Sequence, residues 1–465
     1  MTFCLFNPNK NRMKAKDILA SKWFRFGVVA LLYTLLFVVW SRNLWFLVGL
    51  PVIFDLYITK RIQHLLRWEK HLERKRNNKV YREIFSWVDA IVFALAFASI
   101  INIYFFQMYT IPTSSMEKTL LVGDYLYVSK ATYGPRMPQT PLALPLMHHT
   151  TPWGTKSYSE AIKRPYKRLA GRRDVERGDI VVFNFPAGDT VILERQNETY
   201  YDIVRQFVDS YGPVKGRQLM NKQYTVVSRP VDKREHYVKR CVALPGDTLQ
   251  VEHTQLLING EPQNYIDNQQ YIYIVETSSP LGNRVFEKLN ISPDDIHYSP
   301  STGTYLLPLT EATKGQLEGL ANVVAVTRNE SKEPFSAIFP NNRNFPWTED
   351  NFGPLWIPAK GATVALNTDN LPLYERIIKN YEGHSLEVKD GEILIDGATA
   401  ESYTFAMDYY FMMGDNRHMS ADSRFWGFVP EDHIVGTPSF VWLSLDKFKP
   451  FPSNIRWSRM FRVHK

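Results

Sequence analysis

The chain has only two cysteines in 465 residues, Cys4 and Cys241. Two cysteines cannot form a disulfide framework. Cys4 precedes the first apolar run and Cys241 lies far into the large C-terminal region, so a membrane between them would also keep them apart. No C-x-x-C or H-E-x-x-H spacing is present, and the adjacent His148 and His149 have no other convincing ligand near them in sequence; no metal site and no cofactor are expected. A net basic charge is also missing from most of the chain. The net charge is +8, but residues 1–86 hold 16 Lys and Arg against 5 Asp and Glu, a net of +11 that leaves −3 for everything after them. A large, slightly acidic region gives no reason to expect nucleic-acid binding. A small-residue cleavage site is missing after the first apolar run, and a second run follows at once, which argues against a cleaved leader.

Apolar runs and basic flanks dominate the first 110 residues. Residues 1–22 are polar and basic. Trp23 to Trp40 is almost wholly apolar and about long enough to span a bilayer as a helix. Leu44 to Ile58 is shorter and contains Pro51 and Asp55, so it either spans or dips in beside the first run. Residues 60–82 are strongly basic, with Leu65, Leu66 and Leu72 at spacings that suit an amphipathic helix on a membrane surface. Ile84 to Met108 is a third apolar run. With both basic regions in the cytoplasm, the chain leaves the membrane near residue 108 on the far side. The expected layout is a cytoplasmic segment at 1–22, a membrane hairpin at 23–58, a basic cytoplasmic loop at 59–86, a transmembrane helix at 87–109, and an extracytoplasmic domain at 110–465 with a large insertion at about 251–410.

From residue 121 the pattern changes. Asp124–Ser129, Asp179–Phe185, Tyr237–Leu244, Thr248–Ile258 and Ala362–Leu366 are short Val, Ile, Tyr and Phe-rich runs between Gly, Pro, Asp and Asn, which predicts strands with turns. Leu371–Glu382, with Pro372 suited to a first helical turn, and Tyr200–Tyr211 are the helical patterns. The fold class expected is mainly antiparallel β with long insertions, preceded by transmembrane helices. Val251–Gly260 echoes Val388–Gly397, and Val175–Phe183 echoes Pro358–Leu366, which reads as hairpins of similar design.

Three stretches go beyond the needs of strands and turns. Ile111–Asp124 places Thr113, Ser114 and Ser115 between a proline and a methionine just past the third apolar run. Alone, it is either a hydroxyl-rich turn or a nucleophile site. Tyr237–Asp247 carries Lys239 and Arg240 in an otherwise apolar strand, whose alternation sends the two to opposite faces. One charge in solvent and one in a salt bridge would be ordinary. A desolvated lysine is the alternative: burial lowers an amine pKa by up to several units, and a neutral amine can take a proton from a serine hydroxyl. Met413–Pro430 packs Asp415, Arg417, Asp422 and Arg424 around Ser420. Asp415 and Asp422 with Arg240 and Arg424 suit an ion network that holds the lysine strand in register and leaves Ser420 for the amine.

Together these stretches resemble the bacterial type I signal peptidases, membrane-bound serine proteases that remove signal peptides from exported proteins. Arg177–Phe183 and Arg456-Trp-Ser-Arg459 resemble two further blocks of that family, in the same order. The resemblance implies Ser115 as nucleophile and Lys239 as general base. It implies Thr113 beside the Ser115 N–H in the oxyanion hole, and Ser420 orienting the lysine. Asp415, Arg240, Asp422 and Arg424 would be supporting ions, and Ile111, Pro112 and Val238 would line shallow pockets for small residues. Implied partners are preproteins with signal peptides and membrane lipid, with no nucleic acid. The implied enzyme is a monomer, multi-pass in the bacterial inner membrane, with its catalytic domain in the periplasm. Two positions depart from the pattern: Lys118 stands where many members have proline, and His418-Met419 replaces Asp-Asn. The alternatives are an export peptidase dedicated to one substrate and an inactive membrane-anchored interaction protein. A self-cleaving repressor-type peptidase would need a DNA-binding helical domain, and none is visible.

Overall fold

The computed structural model describes residues 21–40, 44–65, 68–263, 268–332 and 337–462. The basic N-terminal segment with Cys4, and Leu66 and Arg67 of the basic stretch, lie outside the described residues. Contacts divide the chain near Ile100 into two units.

In the first unit, helix Lys22–Tyr33 continues through a wider π-type turn to Val39. These 18 residues are long and apolar enough to cross a membrane. The second apolar run is broken into a 3-10 turn (Leu44–Val48), an α-turn (Gly49–Phe54) and a π-turn (Asp55–Thr59). Phe46–Thr59 is apolar but shorter than a span. It packs back on the first helix, with Trp23 and Phe26 on Phe54 and Phe37 on Phe46. The Tyr33 hydroxyl donates to the Phe46 carbonyl at 2.7 Å. Asp55, an acid in an apolar run, accepts from the Arg61 and Ile62 N–H groups at 2.8 and 2.9 Å and so caps the next helical turn.

The third apolar run forms helix Lys79–Tyr104, the second candidate span. It stops short of Met108. Phe106–Thr110 is instead strand β1, paired residue by residue with β2 (Asp124–Ser129), from Phe106 opposite Ser129 to Thr110 opposite Tyr125. A continuous apolar run cannot separate these outcomes. Cross-strand pairing decides it, with the Phe106 ring stacked on Tyr127 at 4.4 Å.

The larger unit is built on a seven-stranded antiparallel sheet. Its remaining strands are β3 (Ile180–Asn184), β4 (His236–Ala243), β5 (Tyr409–Met413), β6 (Val429–Pro430) and β7 (Ile434–Ser444), in the order β1-β2-β7-β3-β4-β5-β6. Phe440–Leu443 lies in β7 opposite β2. All of β3 is buried. Ile180 and Val182 pack with Ile111, Met116, Leu126 and Val441 on one face, while Val181 and Phe183 pack with Cys241, Met412 and Trp426 on the other. A sheet covered on both sides can bury a lysine on an inner strand.

The chain between β4 and β5 forms the main insertion. Strands His297–Ser299, Thr304–Leu309, Tyr271–Thr277 and Val323–Arg328 make one four-stranded sheet with its own core around Tyr273, Val275, Leu307 and Leu317. The predicted strand Thr248–Ile258 is a hairpin, Thr248–Glu252 with Gln255–Ile258, and its echo is the hairpin Leu386–Lys389 with Glu392–Ile395. Both turn at two residues of positive φ, His253 and Thr254 in one and Asp390 and Gly391 in the other. Both turn again at Asn259-Gly260 and Asp396-Gly397. Paired positive φ values are what a two-residue hairpin turn needs, so the echo is shared turn chemistry. Helix Tyr200–Tyr211 forms where the pattern places it, and Leu371–Arg376 extends to Tyr381 with Pro372 in its first turn. Helices Pro213–Gln223 and Glu311–Glu318 lie in stretches with no clear helical pattern.

Two glycine variants separate close packing from turn geometry. A Cβ on Gly436 would lie 2.2 Å from the Ser129 carbonyl oxygen inside the sheet, whereas one on Gly391 meets open space at φ 87°. Gly391→Ala is expected to destabilise by about 1–2 kcal/mol and Gly436→Ala by clearly more. Thermal unfolding of both purified variants checks the order; equal midpoints would refute it.

Candidate active site

Ser115 sits in the short 3-10 turn Ser114–Met116 that follows β1. The turn is held at both ends. The Ile111 N–H donates to the Asp124 carbonyl and the Gly123 N–H to the Ile111 carbonyl, both at 2.9 Å, which prolongs the β1–β2 ladder. Beyond the turn, the Leu120 N–H returns to the Met116 carbonyl at 2.7 Å. Met116 and Leu120 are fully buried beneath it. The leading N–H groups of a helical turn have no acceptor within the turn, so this backbone presents free donors beside the Ser115 hydroxyl.

Lys239 comes from the middle of β4, opposite Val181 of β3. Its Nζ is in hydrogen-bond contact with Ser115 Oγ. Lys239 and Ser115 are 4 % and 6 % exposed, so water is largely excluded from the pair. Among the described residues no carboxylate forms an ion pair with Lys239, and the Tyr237 ring lies 6.0 Å from its Nζ. Burial lowers the lysine pKa to about 8, against a smaller opposing pull from Asp422 and Asp415. Neither member of the Lys239-Arg240 pair goes to solvent: both are buried.

The neighbouring carboxylates are occupied by guanidinium groups. Arg240 Nε and Nη2 donate to the two oxygens of Asp415 at 2.8 and 2.7 Å, and Arg240 Nη1 reaches the Gly178 carbonyl. Arg424 Nε and Nη2 donate to Asp422 at 2.9 and 2.8 Å, and the Gly414 N–H adds a third bond at 3.1 Å. Burial disfavours the Asp422 charge, but Arg424 outweighs it and the pKa falls below the usual carboxylate range. The expected network is therefore present as two separate bidentate pairs.

The other expected residues are placed unevenly. Thr113 is exposed, with Oγ1 3.5 Å from Ser115 Oγ. Pro112 is exposed beside it, and Val238 is half-buried. Ile111 is 4 % exposed and belongs to the core below the turn, so most of its side chain is structural. Ser420 departs from expectation. It is buried, but its Oγ has no hydrogen-bond partner among the described residues. Its hydroxyl and the Ser115 carbonyl oxygen instead converge on the space beside Gly414, 2.3 and 2.5 Å from where a Cβ would stand.

Sequence reasoning missed three contributors. The Thr119 hydroxyl donates to Asp415 Oδ2 at 2.6 Å. Asn416 donates from its backbone to the Ser115 carbonyl at 3.1 Å and from Nδ2 to the Ser114 carbonyl at 3.2 Å. Gln270, distant in sequence, donates its N–H to the Asp415 carbonyl and accepts from the Arg417 N–H, both at 2.9 Å. Thr119 and Asn416 lay inside stretches already singled out. Gln270 acts through its backbone, which no side-chain pattern signals.

The family model described as "Signal peptidase, peptidase S26" matches residues 84–297 and 357–443. Ser115, Lys239 and both ion pairs fall in the matched segments. Similar proteins include those named "Signal peptidase I" from Buchnera aphidicola subsp. Acyrthosiphon pisum, 24 % identical over 88 % of this chain and 90 % of the relative. Another is from Haemophilus influenzae, 24 % identical over 84 % and 79 %. A third is from Helicobacter pylori strain J99, 25 % identical over 82 % and 92 %.

The buried amine works against folding. Its pKa falls from 10.5 to about 8 on folding, so between those values the unfolded chain binds more protons and this group makes stability rise with pH. Below pH 8 the full penalty applies, of order 3 kcal/mol. Lys239→Met is therefore expected to raise the unfolding midpoint at pH 7, while Asp415→Ala, which strands Arg240, lowers it by an amount of order 3–5 kcal/mol. A Lys239→Met protein less stable than the parent would contradict the desolvation argument.

Proposed function

The chain belongs to the signal peptidase S26 family, and we propose that the reaction of this serine endopeptidase runs through a Ser115–Lys239 dyad acting on the signal peptides of exported preproteins. The observation that carries the proposal is the contact between two buried side chains, a serine hydroxyl and an amine with no carboxylate partner. Neutral Lys239 takes the Ser115 proton as Oγ attacks the carbonyl carbon that follows a small residue. The Ser115 N–H and the Thr113 hydroxyl receive the developing oxyanion. Collapse expels the new amino terminus, to which the lysine ammonium returns the proton, and leaves an acyl-serine. The amine, neutral again, then activates water to release the signal peptide and restore Ser115.

Placement supports this substrate class. Helix Lys79–Tyr104 is long and apolar enough to cross a bilayer, and the basic stretch before it favours the cytoplasmic side. Ser115 then follows the second span by eleven residues, on the extracytoplasmic side of a bacterial inner membrane. A signal peptide presents its cleavage site just beyond its own apolar segment. The exposed Pro112 and Thr113 and the half-buried Val238 leave a shallow surface beside the nucleophile, suited to small residues. The intact dyad and its two ion pairs argue against an inactive anchor.

Activity against pH tests the proposal. The base must be neutral, so kcat/KM is expected to fall about tenfold per pH unit below an apparent pKa near 8 and to level off above it. Glu117, two residues from the nucleophile, is raised to about 7 chiefly by burial; Glu117→Gln should keep the limb if Lys239 owns it. Ser115→Ala and Lys239→Ala should each abolish cleavage of a preprotein in detergent. Thr113→Ala should slow it by about 10²–10³, with Thr113→Ser near the parent rate. Cleavage that persists in both dyad variants would sink the assignment.

A further inference from the structure

His148 and His149 take no part in the reaction just described, and their neighbours in sequence offer no further ligand. The fold supplies one. Glu235, which immediately precedes β4, lies beside them, and one ligand atom from each of the three residues falls within 4.8 Å of the other two. His149 Nε2 stands 2.8 Å from Glu235 Oε1.

One nitrogen of each ring is also engaged. His148 Nε2 lies 2.9 Å from the Arg234 carbonyl, which can only accept, so this nitrogen carries the proton and Nδ1 keeps the lone pair. His149 Nδ1 lies 2.6 Å from the Thr150 hydroxyl, which can accept its proton when Nε2 is engaged elsewhere. Anchoring of the non-ligating ring nitrogen by an oxygen is the usual support for a metal-bound imidazole. Two positive groups oppose a cation here. Arg229 Nη1 lies 3.2 Å from Glu235 Oε1, and Lys233 acts on His148. An ion must therefore share or displace the Arg229 contact.

We propose that His148, His149 and Glu235 bind one divalent transition metal of the zinc type. Two imidazole nitrogens and a carboxylate suit that class, and three protein ligands leave a coordination position for water. The ion ties the segment between β2 and β3 to the lead of the strand that carries Lys239, four residues beyond Glu235. It supports the fold and takes no part in peptide cleavage.

The test uses the full chain in detergent, without a polyhistidine tag, stripped by a chelator and titrated with zinc(II) alone against a chromophoric competitor. One ion per chain is expected, with a higher unfolding midpoint when loaded. His149→Ala and Glu235→Gln should each weaken binding about tenfold or more. His384→Ala, which removes a half-buried histidine paired with Asp396, should not. X-ray absorption of the loaded parent should show imidazole nitrogens in the coordination sphere, a readout that needs no variant to fold. Absence of a stoichiometric ion, affinity unchanged in both ligand variants, or coordination without imidazole would each overturn the site.

Discussion

The contact between Lys239 and Ser115 depends on keeping every carboxylate off the amine. Desolvation alone makes an ammonium costly, and one nearby carboxylate would reverse that by pairing with it. Two carboxylates are close enough to act on Lys239, Asp415 and Asp422, and both pull its pKa upward. Neither pairs with it, because each is held in a bidentate grip, Asp415 by Arg240 and Asp422 by Arg424. The two arginines therefore do more than brace the fold: they keep the acids directed away from the amine. Burial of β3 and β4 between two apolar clusters completes the condition by excluding water.

The position of Ser115 follows from the same network. Asp415 is reached by Thr119 from the segment just after Ser115, and Asn416 holds the Ser114 and Ser115 carbonyls. Gly414 has no side chain because the Ser115 carbonyl and the Ser420 hydroxyl fill that space. From the other direction, Arg459 donates to Asp124 and to the Thr119 carbonyl at 2.6 and 3.0 Å, and Arg456 reaches the Val122 carbonyl at 2.9 Å. The 3-10 turn is thus gripped by the loop after β5, and the chain just beyond it is held by the C-terminal segment. Both hold mainly backbone atoms, which fixes where Ser115 stands without restricting its hydroxyl.

Legibility in the sequence followed the type of interaction. Ser115, Lys239 and the four charges of the network could be read because ionisable groups in apolar strands are chemically unusual. Strands β2, β3 and β4 and the paired hairpins could be read because β-branched and aromatic runs bounded by turn residues are local signals. The end of the third helix at Tyr104 could not be read, since Phe105, Phe106 and Met108 prolong the apolar run beyond it, and Phe106–Thr110 is a strand because β2 lies beside it. Glu235 beside His148 and His149, and Gln270 on the backbone of Asp415 and Arg417, are products of long-range folding. The packing of the Ser420 hydroxyl against Gly414 is likewise a contact that the motif does not signal.

The two departures from the family pattern have a common cause in the insertion. Proline at position 118 would fix φ near −65°, but Lys118 adopts 69°. Its Nζ donates to the Leu289 and Asn290 carbonyls at 3.1 and 2.6 Å, both in the insertion. His418, in place of aspartate, accepts the Ile272 N–H at Nδ1 and donates from Nε2 to Asp350, at 3.1 and 2.7 Å. Those partners too belong to the insertion, and an aspartate could not both accept from a backbone N–H and donate to a buried carboxylate at neutral pH. With Gln270 bridging Asp415 and Arg417, three contacts bind the insertion to the turn and loop that hold the dyad. The substitutions that looked like weak points beside the nucleophile are where the added sheet is attached. That sheet carries a core of its own, so Lys118, His418 and the loop after β5 are attached to an independently packed unit.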